Sequence, residues 1–332
     1  AWPAMNMKKE MVSVLNSNVI VPDIDKLPYT EWLMVRRSGI GGSDAAAALG
    51  LSPWKSALEL WQEKVSGQSQ PHKENEAMIW GRIMEPVITR EFVRRTGLTV
   101  IPMRSMLQAT NWPWMLADLD GLVEDPQRGT GVFEVKTASA FKMSEWDDNR
   151  CPDAYQLQVQ HYLEVTGLSY ALIVVLIGGN KLQWITVDRD DELIASLVQL
   201  EKRFWQHVLT QSPPPVDGST ACAEMLARKY PSSSNAAPLI LPVDADSWIQ
   251  DYLTSKAEEE SAAERKRLAE NKLKEVIGNH EKAISPGGYQ ATWKTVQSSR
   301  IDSARLKKEE PTLFEKFATT STTRRFSISE EK

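Results

Sequence analysis

Cysteine, histidine and long apolar runs are all scarce in this sequence, and each scarcity excludes a class of protein. No apolar run approaches the roughly 20 residues that a membrane-spanning helix needs, and no charged-then-apolar leader opens the chain. The two cysteines, Cys151 and Cys222, are too few in 332 residues for a disulfide framework or a zinc site. The four scattered histidines also argue against an all-histidine metal centre. We therefore expect a globular cytoplasmic protein with no membrane partner.

An excess of basic residues is missing as well, which is unusual for a protein that binds nucleic acid. The net charge is -5 at pH 7. The charges are unevenly placed, because acidic residues gather between Glu258 and Glu281 and a metal site needs carboxylates that the metal neutralises. The basic residues of the amino-terminal third include Arg36, Arg37, Arg82, Arg90, Arg94, Arg95 and Arg104. Composition alone leaves DNA binding open.

Helix-like and strand-like segments alternate along the first two-thirds of the chain and predict an α/β or α+β fold. Ser43 and Asp44 are good N-cap residues for a short helix over Ala45–Leu49. Further helices are expected over Tyr29–Arg37, Ala57–Lys64, Ala77–Thr96, Asp153–Thr166 and Asp190–Leu209. Strands are expected over Leu98–Met103, Met115–Val123, Gly131–Thr137, Tyr170–Gly178 and Leu182–Val187.

Changes in composition divide the chain into three parts. Residues 1–28 form an amino-terminal segment, of which residues 1–4 look like a cloning or processing remnant. Residues 29–217 form the core, which the prolines at 213–215 end. Residues 218–332 form an accessory region with a long charged helix and a small β-α-β element. The expected elements of that region are Ala245–Ile284, Tyr289–Val296, Ser303–Phe317 and Arg324–Ser329.

The two strands that flank residues 124–130 read as a hairpin that carries acidic residues and a lysine. Because side chains alternate between the faces of a strand, Glu134 and Lys136 share one face and Val135 points to the other. Asp118 and Asp120 likewise share a face of the preceding strand. Pairing across the hairpin would place Asp120 beside Glu134.

Two carboxylates this close repel each other, and their pKa values rise unless a cation lies between them. Oxygen ligands in an open site suit Mg²⁺ or Mn²⁺, and such a site can cut phosphodiesters. Lys136 could then orient the attacking water or stabilise charge in the transition state. The alternative is a solvated strand face with a cross-strand ion pair. The apolar neighbours Val132 and Phe133 weigh against it, since charges in apolar surroundings are costly.

Taken in order, several motifs resemble a known group of nucleases. The signature of RecB-type nucleases is matched by Asp120-Gly121-Leu122, Glu134-Val135-Lys136-Thr137 and Gln158-x-x-x-Tyr162. The narrower family of phage lambda exonuclease and the YqaJ-type viral recombinases is matched by Trp80-Gly81 with Glu85, Ala154-Tyr155-x-x-Gln158-Val159-Gln160 and Val165-Thr166-Gly167. The resemblance covers roughly Trp32 to Trp205, and it implies a prophage-encoded protein of a bacterial host.

The resemblance implies a PD-(D/E)XK restriction-endonuclease-like core, in which a central mixed sheet is flanked by helices. Asp120 and Glu134 would bind the metal, with the Val135 carbonyl as a further ligand and Glu85 at or near a second ion. The expected metal is Mg²⁺, as two ions, with Mn²⁺ as a substitute. Lys136 would assist the attacking water, and Gln158 would help to position that water or the scissile phosphate. Tyr162 matches the motif but is equally well a core tyrosine bonded near the site, and Asp118 has no assigned role beyond a place behind the ligands.

The segment from Arg36 to Ser43 resembles the family's pocket for the 5′-phosphate of DNA. An arginine forks onto phosphate oxygens, and the amides of a glycine-rich turn with a serine at a helix start bind anions. A plain N-cap with surface arginines is the alternative. Arg36 and Ser43 are the expected phosphate ligands, with Arg37 competing for the place of Arg36 because one residue of register separates them.

The resemblance further implies an exonuclease that degrades one strand of linear double-stranded DNA from 5′ to 3′. Such an enzyme releases mononucleotides and leaves a 3′ tail for a single-strand annealing protein, and family members form a ring-shaped homotrimer. Lambda exonuclease has no counterpart to the chain after about Asp217, so we expect the tail to serve self-assembly or docking of the annealing protein. The alternatives are a related nuclease with endonuclease or single-strand specificity, and a DNA-binding module without catalysis.

Overall fold

The computed structural model describes residues 15–66, 75–147, 150–234 and 237–329 and divides into two compact units, Ala1–Lys229 and Tyr230–Lys332. The supposed remnant at residues 1–4 lies outside the described residues. The division falls after Lys229, whereas the sequence suggested a boundary after Asp217. The helix Thr220–Lys229 lies between these two positions and packs on the helix Ala57–Ser66 through Cys222, Met225 and Leu58, so it belongs to the first unit.

The first unit contains strands and helices in alternation. The strands are β1 (Ser17–Val21), β2 (Ile40–Gly41), β3 (Thr99–Pro102), β4 (Met106–Ala109), β5 (Met115–Asp118), β6 (Gly121–Asp125), β7 (Gly129–Ala138), β8 (Tyr170–Ile177) and β9 (Lys181–Asp188). The α-helices are α1 (Tyr29–Arg37), α2 (Gly42–Ala48), α3 (Ala57–Ser66), α4 (Glu76–Thr96), α5 (Asp153–Thr166), α6 (Asp191–Leu209) and α7 (Thr220–Lys229). Short 3₁₀ helices occur at Ile24–Lys26 and Ala140–Trp146.

A five-stranded mixed sheet in the order β3-β6-β7-β8-β9 forms the centre of the first unit. The β7–β8 pair is parallel, and the other pairs are antiparallel. Phe133 and Val135 pack on one face against Phe92 of α4, while Val132 packs on the other face in the cluster that contains Val159 of α5. The predicted α/β fold, a central mixed sheet flanked by helices, is confirmed.

A second sheet in the order β1-β4-β5-β2 was not predicted. The predicted strand Met115–Val123 is in fact two strands, because β5 ends at Asp118 in this sheet and β6 begins at Gly121 in the central sheet. Leu119 is buried at the crossing, and a Cβ at Gly121 would lie 3.0 Å from the Ile101 carbonyl oxygen. Asp118 and Asp120 flank Leu119 at the break, but their alternation with apolar residues also fits one continuous strand, so the sequence pattern did not reveal it. The prediction that Asp118 and Asp120 share a face of one strand is therefore wrong.

The second unit begins with the long helix α8 (Ala245–Ile277), most of whose side chains are exposed. It ends earlier than predicted because Gly278 follows with φ of 54°, a conformation that favours glycine. A hairpin of β10 (Lys282–Ile284) and β11 (Gln290–Thr292) comes next. Two short helices, α9 (Ser303–Glu309) and α10 (Pro311–Phe317), replace the single predicted helix because Pro311 cannot continue α9.

The predicted β-α-β element is not formed, since Arg324–Ser329 has no strand pairing. The order of elements is instead a hairpin followed by two helices. Across the described ranges of both units, none of the helices is long and apolar enough to cross a membrane.

Candidate active site

Strand β7 carries Glu134 and Lys136 on the face that is turned towards α5, as the alternation predicts. Glu134 is only 3% exposed. Its Oε1 accepts hydrogen bonds from Lys136 Nζ at 2.6 Å and from Gln158 Nε2 at 2.7 Å. The Lys136 ammonium also lies 4.9 Å from the ring centre of Tyr155. The glutamate is therefore held between a strand lysine and a helix glutamine.

Asp120 reaches the same place from the turn that precedes β6. Gly121 pairs with Phe133, so Asp120 lies next to Glu134 along the hairpin. Its Oδ2 accepts a hydrogen bond from the Val135 N–H at 2.8 Å. The predicted neighbourhood of Asp120 and Glu134 is thus present, although Asp120 lies just outside the strand.

The buried carboxylates repel one another. Burial and the charge of Asp120 raise the pKa of Glu134 to about 8, even though Lys136 acts in the opposite sense. Burial also raises the pKa of Asp120, and it raises that of Asp118 to about 6 against the lowering effect of Arg36. Glu134 Oε2 is buried and has no hydrogen-bond partner among the described residues. This group of carboxylates, Asp118, Asp120 and Glu134, is called the acidic side below.

Helix α5 contributes two side chains that were predicted to lie at the site. Gln158 Nε2 bridges Glu134 and the Tyr162 hydroxyl, at 2.7 and 3.1 Å. The Tyr162 hydroxyl donates to the carbonyl oxygen of Asp118 at 3.0 Å. A Cβ at Gly42 would lie 2.3 Å from Tyr162 Cε1, so glycine is required where α2 crosses α5. Tyr162 thus fixes backbone near the site.

Glu85 on α4 stands at the margin of this group. Burial and the charge of Asp120 raise the pKa of Glu85, which is not among the residues that line the cavity described below. Its Oε1 accepts a hydrogen bond from Arg104 Nη2 at 3.2 Å. Sequence reasoning gave Arg104 no place in the site, because it lies 19 positions from Glu85 in the chain and matches no motif.

Arg36 and Ser43 meet on the opposite wall. Arg36 Nη2 donates to Ser43 Oγ at 2.9 Å and to Asp44 Oδ1 at 3.2 Å. Asp44 Oδ2 accepts from Lys64 Nζ at 2.8 Å and from the Gly41 N–H at 3.3 Å. These four side chains, Arg36, Ser43, Asp44 and Lys64, are called the cationic side below.

The prediction that Ser43 and Asp44 are N-cap residues is wrong. Gly41 is the N-cap residue, and Asp44 lies in the first turn of α2, where its carboxylate accepts from the Gly41 backbone. Lys64 was not predicted to take part. It comes from α3, and nothing in the sequence around it distinguishes a buried lysine from a solvated one.

One cavity of about 200 Å³ joins the two sides. Arg36 is among its lining residues and Arg37 is not. The lining residues are Arg36, Gly41, Gly42, Ser43, Met106, Leu116, Asp118, Asp120, Glu134, Gln158 and Tyr162. The fold therefore brings together two walls of opposite charge: Arg36 and Ser43 on one, and on the other the acidic side, whose residues lie 75 to 98 positions further along the chain.

The acidic side fits a hard divalent cation in its donor chemistry. Glu134 Oε2 is a buried oxygen that has no partner in the described part of the chain, and the raised pKa values mean that the carboxylates lack compensating positive charge. Within the described parts of the chain, no three Asp, Glu, His or Cys side chains form a ready-made ligand cluster. Mg²⁺ is commonly held by one or two carboxylates, with water and substrate phosphate completing its shell. Asp120 and Glu134 meet that requirement.

His161 on α5 is fully buried. Its Nδ1 lies 2.8 Å from Glu201 Oε1, and its Nε2 lies 2.9 Å from the Leu116 carbonyl oxygen. Burial would lower the pKa of His161, but the charge of Glu201 raises it on balance. The pair links α5 and α6 to β5 beneath the cavity. Its members lie 40 residues apart, so no local pattern could reveal it.

A family model described as YqaJ-like viral recombinase domain matches residues 31–169 of the chain. This range contains every residue that lines the cavity. The uncharacterized protein YqaJ of Bacillus subtilis (strain 168) is 37% identical over 303 residues, which cover 90% of this chain and 94% of that protein. The chain belongs to the YqaJ family of viral recombinases. The predicted family is confirmed, and the similarity to YqaJ extends past Lys229 into the second unit.

Among solved structures, the chain is similar to an alkaline exonuclease from Laribacter hongkongensis in complex with dAMP. The identity is 22% with a TM-score of 0.47, and the match covers 60% of this chain and 96% of that chain. It is also similar to a phage-related exonuclease from Haemophilus somnus 129PT. There the identity is 12% with a TM-score of 0.38, and the match covers 52% of this chain and 96% of that chain.

Proposed function

We propose that this YqaJ-family protein is a magnesium-dependent DNA exonuclease. It degrades one strand of a linear duplex from 5′ to 3′, releases mononucleotides and leaves a 3′ single-stranded tail for recombination by strand annealing. The observation that carries the proposal is the cavity that joins Glu134, Asp120 and Gln158 to Arg36 and Ser43. A phosphodiester at a strand end needs both a cation-binding wall and an anion-binding wall, and the cavity offers them together.

Several acidic residues would form the metal site. Asp120 and Glu134 would hold Mg²⁺, with the Val135 carbonyl as a further ligand and Glu85 at or near a second ion. Magnesium, when bound, polarises the phosphodiester and lowers the pKa of a water molecule, and Mn²⁺ can take its place. Asp118 stands behind these ligands, where Arg36 and Asp120 both act on its pKa.

Lys136 would stabilise the negative charge that develops during the reaction. Burial would lower its pKa, but the charges of Glu134 and Asp120 raise it, so the side chain remains an ammonium at neutral pH. It can donate to the attacking water or to the phosphate oxygens as negative charge develops. Gln158 holds Glu134 by a hydrogen bond and is itself held by Tyr162, so it fixes the orientation of the carboxylate.

Binding of the 5′ end of the DNA strand would set the direction of digestion. Arg36 and Ser43 would bind the terminal 5′-phosphate, since guanidinium and hydroxyl donors both suit phosphate oxygens. The scissile phosphodiester then lies at the acidic side. Arg36 is favoured over Arg37 because it lines the cavity.

Digestion of an end-labelled linear duplex tests the proposal. The duplex carries or lacks a 5′-phosphate, the buffer holds Mg²⁺ or EDTA, and closed circular DNA is run beside it. We expect mononucleotide release in Mg²⁺ only, faster with the 5′-phosphate and at least about 100-fold slower with Lys136→Ala protein. Internal cuts in closed circles would replace the exonuclease by an endonuclease with the same metal site. No cleavage with any divalent metal would leave a DNA-binding protein.

We further propose that the protein works as a homotrimeric ring in the cytoplasm of its bacterial host and passes its 3′ tail to a single-strand annealing protein. The second unit would serve assembly or docking of that partner. A chain that ends at Lys229 keeps α7 and so leaves the first unit whole. Light scattering and co-purification with the annealing protein would compare it with the full chain, and unchanged mass and unchanged binding would contradict this role.

A further inference from the structure

Lys64 is a buried lysine that has no part in the proposed reaction. Its side chain is 4% exposed. Its Nζ donates to Asp44 Oδ2 at 2.8 Å and to the carbonyl oxygen of Arg36 at 2.7 Å. A buried ammonium is costly unless it is paired, so Lys64 must offset a specific charge. That charge is the carboxylate of Asp44.

Asp44 is the only acidic member of the cationic side, and its two bonded side-chain partners are the cations Lys64 and Arg36. Burial would raise the pKa of Asp44, but the charges of Lys64 and Arg36 outweigh burial and hold this pKa below its usual range. Asp44 is therefore ionised at neutral pH. With Lys64 present, two positive charges face one negative charge; without Lys64, Asp44 would neutralise Arg36.

Arg36 retains donors for a further partner. Its bonds to Ser43 Oγ and to Asp44 Oδ1 both leave from Nη2. The N–H groups on Nη1 and Nε take no part in either bond. The guanidinium carbon lies 5.1 Å from the ring centre of Trp32, which leaves the side chain held in place beside the cavity. An anion in the cavity would meet a fixed guanidinium whose Nη1 and Nε groups make no hydrogen bond to the residues that the structure describes.

We propose that Lys64 is a positioning residue for Arg36: it balances the charge of Asp44 and thereby leaves Arg36 to bind the 5′-phosphate at a duplex end. The inference rests on the 5′-phosphate pocket of the proposed function. A terminal phosphate carries about -1.5 to -2 charge at neutral pH, so its binding responds strongly to one net charge in the pocket.

The test compares binding of one linear duplex with a 5′-phosphate and with a 5′-hydroxyl, by fluorescence anisotropy in EDTA, where no cleavage occurs. The wild type prefers the phosphorylated end. In Lys64→Met this preference falls by roughly tenfold, the effect of one charged hydrogen bond or more. In Mg²⁺ the change appears mainly in KM for the phosphorylated duplex. Lys202→Met is the control, because Lys202 is an exposed lysine of α6; the preference of this variant for the phosphorylated end stays at the wild-type level.

A double variant separates charge from structure. Asp44→Asn with Lys64→Met removes one negative and one positive charge, so Arg36 again supplies a net positive charge. This variant regains most of the preference that Lys64→Met alone loses, and thermal melting of each variant reports whether it is folded. A double variant that is folded and still lacks the preference would overturn the inference, since Lys64 would then act through structure alone.

The remaining outcomes separate this inference from the proposed function. A wild type that prefers the phosphate and a Lys64→Met protein that keeps the preference would overturn the inference and leave the proposed function standing. A wild type that binds both ends equally would overturn the 5′-phosphate pocket, and this inference with it.

Discussion

Asp44 and Glu134 are both buried carboxylates beside one cavity, yet their surroundings act on their charges in opposite ways. Asp44 has Lys64 and Arg36 as partners, which hold its pKa below the usual range despite burial. Glu134 has one lysine and a repelling neighbour in Asp120, and its pKa rises to about 8. The cationic side thus has surplus positive charge, and the acidic side lacks positive charge. The difference indicates where a phosphate and where a metal ion would each be stabilised.

The largest expected effect is on stability at the cationic side. Asp44→Ala leaves Lys64 buried without a carboxylate, and breaking a buried pair in this way costs about 3–5 kcal/mol. Chemical denaturation would measure the loss. Glu63→Ala is the control, because it removes a partly exposed partner of Lys55 and should cost about 1 kcal/mol or less. Equal losses in the two variants would contradict the buried pairing.

The next effect is on catalysis at the acidic side. Lys136→Ala removes the ammonium that is placed for the developing charge, and kcat should fall by about 100- to 1,000-fold, as for other transition-state donors. The release of mononucleotides from duplex DNA measures this fall. Lys202→Ala, which changes an exposed lysine of α6, should retain the wild-type rate. If the rate of Lys136→Ala stays within a few-fold of it, the lysine has no catalytic role.

A smaller effect distinguishes Arg36 from its neighbour. Arg36→Gln should reduce the preference for a 5′-phosphate by roughly 10- to 100-fold, the range of one or two charged hydrogen bonds. Arg37→Gln should change it little, because Arg37 does not line the cavity. Competition between phosphorylated and hydroxyl-ended duplexes would measure the preference of each variant. A larger loss of preference in Arg37→Gln than in Arg36→Gln would assign the phosphate to Arg37.

The smallest effect is a pH dependence of the metal-free protein. The folded-state pKa of Glu134 is about 8, above the roughly 4.3 of an unfolded glutamate. Folding therefore favours the protonated form, and stability should fall as pH rises from about 4.3 to 8. In EDTA at pH 8.5, Glu134→Gln should melt a few degrees, about 2–4 °C, above the wild type.

Magnesium provides the control for that measurement. It should raise the melting temperature of the wild type at pH 8.5 and leave Glu134→Gln nearly unchanged. If Mg²⁺ raised the melting temperature of Glu134→Gln as much as that of the wild type, the metal would bind elsewhere.

The central hairpin and the placement of its side chains could be predicted from the sequence. Alternation along β7 predicted that Glu134 and Lys136 share a face, and the turn at residues 124–130 predicted the hairpin that places Asp120 beside them. Helix α5 was predicted with its observed bounds, so Gln158 and Tyr162 lie on the expected face. These features depend on local periodicity, which a single sequence records.

The remainder depends on contacts between distant segments. At the crossing from β5 to β6, Asp118 and Asp120 alternate with apolar residues, a pattern that also fits one continuous strand, so the second sheet left no distinct local signal. Lys64 reaches Asp44 from another helix, and His161 reaches Glu201 across 40 residues. Such pairs are set by packing, and a lysine or histidine that will be buried has the same sequence surroundings as one that will be solvated.

The most direct test of the two-sided cavity is a crystal structure with Mn²⁺ and a 5′-phosphorylated duplex, using Lys136→Ala protein to slow cleavage. We predict an anomalous peak within coordination distance of Asp120 and Glu134, and the 5′-phosphate on Arg36 and Ser43. Manganese bound away from these carboxylates, or a 5′-phosphate bound outside the cavity while Arg36 keeps only Ser43 and Asp44 as partners, would contradict the account.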